Sequence, residues 1–383
     1  MKQLIVSTKK SLYIIYRSIW RVGTKMPTSR FLPAFEKLRR ANGAFIAAPH
    51  PHYEACWTRD QLYCTLAYFY TGDTQKFKEG VWVVFDMFRT HRLKIEEIVR
   101  MRDEKVHDQK KMLSNVLHAK VHPDTFEEIT HEWGHHQLDA IGLFLYIVGF
   151  AYQEGIDVRR DEDDARTLAL LVHYLEAVRY WEFPDFGMWE EHLTLHASSI
   201  GAVVAGLTLI DEHKLAYVPL DLILKGQKML YWLLPNESPE HDVDMAELSL
   251  IWPYNIMLPP VRSTVLALVE KKLVQKKGLN RYWGDEYYRS DDGISGEWPM
   301  GFFWLSIIYS ECAREKNIRK GTKKEVGRLK KRARYWFDRG LKTLTSENYI
   351  PEIYKNGVPN EHTPLAWAHA MALIAEKKLS ESR

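Results

Sequence analysis

The chain has 383 residues, 46% hydrophobic and 27% charged, with a formal net charge of +3. This is a globular composition with apolar material for a large core, and a charge so near neutrality excludes functions that rest on bulk electrostatics, such as non-specific binding of nucleic acid or of an anionic membrane. Three cysteines, Cys56, Cys64 and Cys312, make no disulfide framework and point to a reducing compartment, so the cytoplasm is the expected location.

The opening stretch, MKQLIVSTKKSLYIIYRSIWRV, has short apolar runs broken by Lys9, Lys10, Arg17 and Arg21. It is neither a signal peptide nor a membrane span, and no integral membrane association is expected. Packing on the outside of the protein is the leading expectation for it, with a basic amphipathic helix on a membrane surface as the alternative. From there helical spacing dominates. It predicts helices over 4–22, 30–42, 57–71, 74–92, 134–154, 161–180, 192–211, 214–234, 260–273, 300–315, 323–343 and 364–378. The stretches Asp139 to Tyr152 and His192 to Ile210 are apolar nearly all round and should be buried on every side, whereas 161–180 and 323–343 carry one apolar stripe each. The basic run from Arg314 to Arg334 reads as a solvated helix face, because Val326, Leu329, Ala333 and Trp336 recur within it at helical spacing. Buried and half-exposed helices in this number predict six hairpins in two concentric rings, an all-α barrel with a funnel at one end. The expected organisation is a single domain over 43–383, with 1–42 as a helical extension packed on the barrel. The links 94–133, 181–191, 235–259, 274–299 and 344–363 hold most of the Trp, Gly, Pro and acidic residues, and loops carry function more often than packing. The charged stretch 94–118 is placed where it would cover the funnel if it folds inward.

Thirteen Trp and twenty Tyr exceed what a core needs, and flat rings with polar edges suit the faces of sugars. Cleavage of a glycosidic bond needs a carboxylic acid for the leaving oxygen and a carboxylate for the nucleophile, about 6.5–9.5 Å apart when a water must fit between them. Three clusters set carboxylates beside aromatic residues: CWTRD at 56–60, FGMWEEH at 186–192 and YIPEIY at 349–354. Each also has an ordinary reading when taken singly. Glu190 would complement the dipole of the following helix, Glu352 would be a surface-loop carboxylate, and Arg59 and Asp60 would be an ion pair at a helix start. A rival lies in His131-Glu132-Trp133-Gly134-His135, which satisfies the HExxH pattern of zinc hydrolases. That motif must be helical to set both histidines on one face, yet Gly134 costs about 1 kcal/mol of helix stability there. No third ligand is evident, so no metal and no other cofactor is expected, and His135 and His136 read as polar residues at a funnel rim.

Together these clusters resemble glycoside hydrolase family 15, the glucoamylase family, and in particular the glucoamylase-like domain of phosphorylase kinase α and β subunits. The resemblance runs from about residue 43 to 378 through NGAFIAAPHPHYEACWTRDQLY, LHAK, EWGHHQLDA, PDFGMWEEHLTLHASSIGA, AELSLIWPY, NRYWGDEYY, SGEWPMGFFW and YIPEIYKNGVPNEHTPLAWAHA. It implies an (α/α)6 barrel. It also implies that Glu190 is the general acid and Glu352 the base that activates water. Arg59 and Asp60 would hold the innermost glucose, Tyr53 would position the water beside Trp57, and Trp133 and Trp189 would flank the acid. Asp139 would be a supporting carboxylate, Lys120 and Arg281 basic residues of the sugar site, and Glu191 a contact to the next sugar. Two departures stand out. Ile353 follows Glu352 where the family often has Gln, so a water-positioning contact must be missing or supplied elsewhere, and the N-terminal β-sandwich of many bacterial relatives has no counterpart.

The expected function is that of an inverting exo-acting α-glucosidase on short α-glucosides, whose partner is an oligosaccharide or disaccharide and not nucleic acid. The linkage stays open between α-1,4, α-1,6 and the trehalose type. A sugar-binding regulatory protein with a relic pocket is the alternative. The acid should sit in aromatic surroundings that favour its protonated form, and the base in a wetter, more polar place.

Overall fold

The computed structural model describes residues 29–102, 109–130 and 134–381. The expected helix over 4–22, residues 1–28 of the expected extension, and His131, Glu132 and Trp133 lie outside these. Twelve helices build the barrel: α1 (Leu32–Lys37), α2 (Thr58–Thr71), α3 (Thr74–Thr90), α4 (Leu138–Gln153), α5 (Glu162–Ala177), α6 (Ala197–Glu212), α7 (Leu220–Leu233), α8 (Leu248–Ile251), α9 (Pro259–Lys272), α10 (Met300–Ile318), α11 (Lys323–Leu341) and α12 (Ala366–Glu381). The even-numbered helices α2, α4, α6, α8, α10 and α12 form the inner ring, each packed on the next and α12 closing on α2. Outside them, α3 packs on α2, α7 on α6, α9 on α8, α11 on α10 and α1 on α12, while α5 lies against α3. The result is an all-α (α/α)6 barrel.

The sequence pattern separates the two layers for a physical reason. Helix α4 buries Leu138 through Leu145 without a break, so no face of it is left for water. Helix α11 buries Val326, Ala333, Trp336, Phe337 and Gly340 along one stripe and turns its basic residues outward, with a capping box between Thr322 and Glu325 at its start. Phe31 and Phe35 belong to the same core, Phe31 meeting Phe303 and Phe337 edge to face.

Eleven of the twelve observed helices fall on expected ones, the expected helix over 4–22 lying outside the described residues, and the remaining one, α8, has no counterpart in the expectation. Helix α8, with the 3-10 turn Met245–Glu247 before it, fills the fourth inner position inside what reads as the link 235–259. Seven residues are too few to show a helical period, and the turn is instead fixed by an Asp244–Glu247 capping box. Three predicted helices also start late: the expected 134–154 begins at Leu138, the expected 192–211 at Ala197 and the expected 214–234 at Leu220. In the stretch 94–118, the described helix Arg92–Met101 buries Ile95, Ile98 and Met101 and packs on α5, on the outside of the barrel, and none of its residues lines the cavity described below.

Helices α4 and α6 approach closely because Gly142 leaves room for the facing backbone. A methyl group at Gly142 would sit 2.4 Å from the backbone nitrogen of Val203, whereas one at Gly327, inside α11, would meet nothing within 4 Å. Gly142→Ala should therefore lower unfolding stability by about 1–3 kcal/mol through overpacking. Gly327→Ala should raise it by up to about 1 kcal/mol through helix propensity. Urea unfolding of the two variants beside the parent measures both signs.

Candidate active site

The inner helices present their N-terminal ends to one side of the barrel, and the links that precede them meet there. Short bridges stitch these links together: Asp185 with Thr194, Asp244 with Tyr282, and Glu297 with Tyr354. Between them lies a cavity of about 530 Å³, to which the segments ending in α2, α6, α10 and α12 all contribute. Nine of the twelve residues singled out from the sequence line it: Glu190 and Glu352, with Tyr53, Trp57, Arg59, Asp60, Trp189, Glu191 and Arg281.

Glu352 is held from several directions. The Tyr53 hydroxyl donates to its Oε1 at 2.8 Å, and the Asn360 amide and His362 Nδ1 each lie 2.7 Å from its Oε2. Since the single hydroxyl proton of Tyr53 goes to Glu352, the Tyr287 hydroxyl, 3.0 Å from that of Tyr53, donates to Tyr53. Burial and the Glu352 charge hold the Tyr53 hydroxyl well above the ordinary tyrosine range. The surroundings of Glu352 are therefore polar, as expected, but they are not wet: the residue is 3% exposed and its partners are side chains. A hairpin makes this possible. Tyr354–Lys355 pairs with Val358–Pro359 across Asn356-Gly357, both at positive φ as an Asn-Gly hairpin turn requires, and the return strand leads straight into Asn360 and His362.

Glu190 lies seven residues before Ala197, where α6 starts, so it does not complement that helix's dipole in its first turn. Its backbone is left-handed at φ +64°, a conformation that costs a non-glycine residue about 1–3 kcal/mol and that collects at functional sites. Arg59 faces it at 3.6 Å. Arg59 does not pair with Asp60. It donates to Gln137 at 2.8 Å and to Asp139 at 3.3 Å, which places Asp139 behind the guanidinium and out of the cavity wall. Trp189 donates to Asp244 at 2.8 Å and packs against Trp298. Glu191 accepts from Arg281 and Tyr282, both at 2.5 Å, and Arg281 is further bound by Asp285. The guanidinium also lies 4.8 Å from the ring centroid of Tyr287.

Lys120 stands apart from the cavity. Its Nζ donates to the His52 carbonyl at 3.0 Å and sits 4.5 Å from the Trp57 ring, so it supports Trp57 from behind, and burial brings it down to about 8 against the pull of Glu190. The pairing of Trp57 with Lys120 across Cys56–Trp57 and Lys120–Val121 fixes this contact. Trp133 lies outside the described residues. His131 and Glu132 of the HExxH pattern also lie outside them, and His135 stands in the non-helical stretch 134–137 before α4 begins at Leu138. His136 is fully buried, and burial brings it down to about 3, whereas His135 stacks on His118. Neither reading of the sequence singled out Tyr287, Asn360, His362 or Trp298, although all four stand inside the quoted motifs.

Burial pushes the Asp60 carboxyl up to about 7, further raised by Glu190 and Glu352 and opposed by Arg59. An unfolded chain releases this proton near pH 4. The folded form thus binds the proton more tightly, and the stability this contributes is fully present below about pH 4 and is lost as pH rises through about 7. Unfolding free energy of the parent should fall between pH 4 and 7 relative to Asp60→Asn, by up to a few kcal/mol at about 1.4 kcal/mol per pH unit. Urea titrations of both proteins across that range measure the difference.

Comparison with known proteins bears on the family likeness and the fold. Residues 37–221 match the model of Glycosyl hydrolases family 15. Among curated proteins, the chain is 28% identical over 314 residues to the liver isoform of phosphorylase b kinase regulatory subunit alpha from Mus musculus, covering 69% of this chain and 25% of that protein. It is 28% identical over 307 residues to the probable phosphorylase b kinase regulatory subunit alpha of Caenorhabditis elegans, covering 67% and 25%. The chain thus spans about a quarter of the length of these relatives. Among solved structures, a wild-type glycosidase superposes with a TM-score of 0.71 at 20% identity, over 91% of this chain and 95% of that one. The glucoamylase from Saccharomycopsis fibuligera superposes at 0.64 with 12% identity, over 96% and 99%. Residues 37–221 of this chain resemble glycosyl hydrolases family 15, and the fold along nearly its whole length is that of the glucoamylases.

Proposed function

We propose that this protein is an inverting, exo-acting α-glucosidase that releases β-glucose from the non-reducing end of short α-glucosides. The observation that carries the reading is the pair of cavity carboxylates in unlike settings. Glu352 accepts from a tyrosine, an asparagine and a histidine side chain, which fixes its orientation as a base requires. Glu190, on a left-handed loop residue beside Trp189 and more exposed than Glu352, is placed to give a proton to a leaving oxygen. Asp60 and Arg59, in the first turn of α2, offer an acceptor and donors to the hydroxyls of a terminal glucose. The aromatic wall of Trp57, Trp189, Trp298 and Trp367 suits the apolar faces of sugar rings.

The linkage is α-1,4 or α-1,6, with the trehalose type a further arm of the test. The catalytic unit is taken as 43–383, with the described part of the preceding stretch, 29–42, packed on it. The three cysteines carry no disulfide, which supports work in a reducing compartment such as the cytoplasm. Among the described residues no helix is long and apolar enough to cross a membrane. Likeness to regulatory subunits favours a second reading, in which the cavity binds a glucan without cleaving it.

Proton NMR of the anomeric signals from maltose, isomaltose and trehalose tests both. Early β-glucose from the attacked unit is the expected result, as an excess over the equilibrium proportion from maltose or isomaltose and as equal amounts of β- and α-glucose from trehalose, whose leaving unit keeps its α configuration. An early excess of α-glucose from the first two, or α-glucose alone from trehalose, would overturn the assignment of acid and base. Glu352→Gln and Glu190→Gln should each lower kcat by about 10²–10⁴-fold, while calorimetry should still detect sugar binding by Glu352→Gln. Binding without release by the parent protein, repeated with longer oligomers, is the outcome that selects the regulatory reading.

A further inference from the structure

The position after Glu352 holds Ile353, which is fully buried and offers no polar group to the cavity. A side-chain partner for the carboxylate comes instead from His362. His362 reaches Glu352 Oε2 with Nδ1 at 2.7 Å, and its backbone carbonyl accepts from the Glu352 amide at 3.2 Å. Its ring lies flat on Tyr53, centroids 3.6 Å apart and planes inclined by 14°. Tyr53 is the residue that donates to the other oxygen of the same carboxylate. Two stacked rings therefore grip Glu352, one on each oxygen, and neither ring can turn without moving the other.

We infer that His362 is a positioning residue for the water-activating carboxylate, holding Glu352 through Nδ1–H and holding Tyr53 through its ring face. The inference rests on the assignment of Glu352 as the base. A carboxylate that must aim a water at one carbon tolerates little rotation, and an error of about 1 Å costs about 10²-fold in rate. Asn360 shares Oε2 with His362 at 2.7 Å and is itself tied to the backbone of Ile353, so the hairpin return delivers two donors as one rigid unit. The other charged or titratable groups around the pair are His50, with its ring centroid 5.0 Å from that of His362, Tyr288 at 6.2 Å, Tyr287 behind Tyr53, and Glu361 and Asp60 in the cavity wall. None of the described bonds of these groups replaces the Nδ1 contact.

Two variants separate the donor from the stack. His362→Phe keeps a ring on Tyr53 and removes the N–H, whereas His362→Asn keeps a donor at the Nδ1 position and removes the ring. Expected are a fall in kcat of about 10- to 100-fold for His362→Phe with KM changed by no more than about 3-fold, and recovery to within about 5-fold of the parent for His362→Asn. Unchanged kcat in His362→Phe, or an effect confined to KM, overturns the inference. Equal losses in both variants also overturn it, since packing alone would then explain them. A second readout needs no turnover. The parent should show a downfield imidazole N–H proton resonance that disappears in His362→Phe and moves upfield in Glu352→Gln. Its absence from the parent, or its persistence unmoved in Glu352→Gln, would remove His362 from Glu352. If the parent cleaves no glucoside while this resonance behaves as expected, the assignment of the reaction fails and the placement of His362 on the carboxylate stands.

Discussion

Six inner helices that start at the same end of the barrel impose the constraint on which everything else depends. Each helix start leaves backbone N–H groups without intrahelical partners and carries a partial positive charge. Those ends face one cavity, whose wall holds Asp60, Glu190, Glu191, Glu352 and Glu361. Carboxyl side chains are tolerated there in a number that a sealed core would not accept. The barrel thereby fixes where carboxylate chemistry is possible before any single side chain is considered.

Within that field the carboxylates are divided by their partners. Glu191 is tied down by Arg281 and Tyr282, so it anchors the loop that carries Glu190. Arg281 in turn is bound by Asp285 and surrounded by Trp189, Tyr287 and Trp298, which leaves it as a strut of the wall more than a free hand for sugar. Arg59 links Gln137 and Asp139 at the start of α4 to Glu190 on the loop before α6. Removing one member of such a buried set leaves the other charges unpaired, which costs more than the pair contributes when intact. The left-handed backbone of Glu190 is held against its own preference by these contacts, and the expense is met by packing around Trp189.

Much of the layer arrangement was legible because a buried helix and a half-buried one leave different marks. Asp139 to Tyr152 could only be central, and the single stripe of 323–343 could only be peripheral. The fourth inner helix left no such mark, since a 3-10 turn and one α turn between Asp244 and Trp252 are shorter than the period used to find helices. The motif positions of Glu190, Glu352, Arg59 and Asp60 were legible through resemblance, and the cavity brings all four together. Lys120 was assigned to the same wall and stands behind it, because a two-residue strand pairing turns its side chain under Trp57.

By itself, the sequence determined the all-helical class, the two kinds of helix and the loops where carboxylates meet aromatic rings, since these follow from local periodicity and composition. Tertiary structure alone decided who holds whom. Tyr53 and Glu352 are 299 residues apart and Arg281 and Glu191 are 90 apart, and only closure of the ring sets such pairs within hydrogen-bond reach. The place of His362 depends on both levels: Asn356-Gly357 writes the hairpin locally, but the stack on Tyr53 exists only because α12 closes against α2.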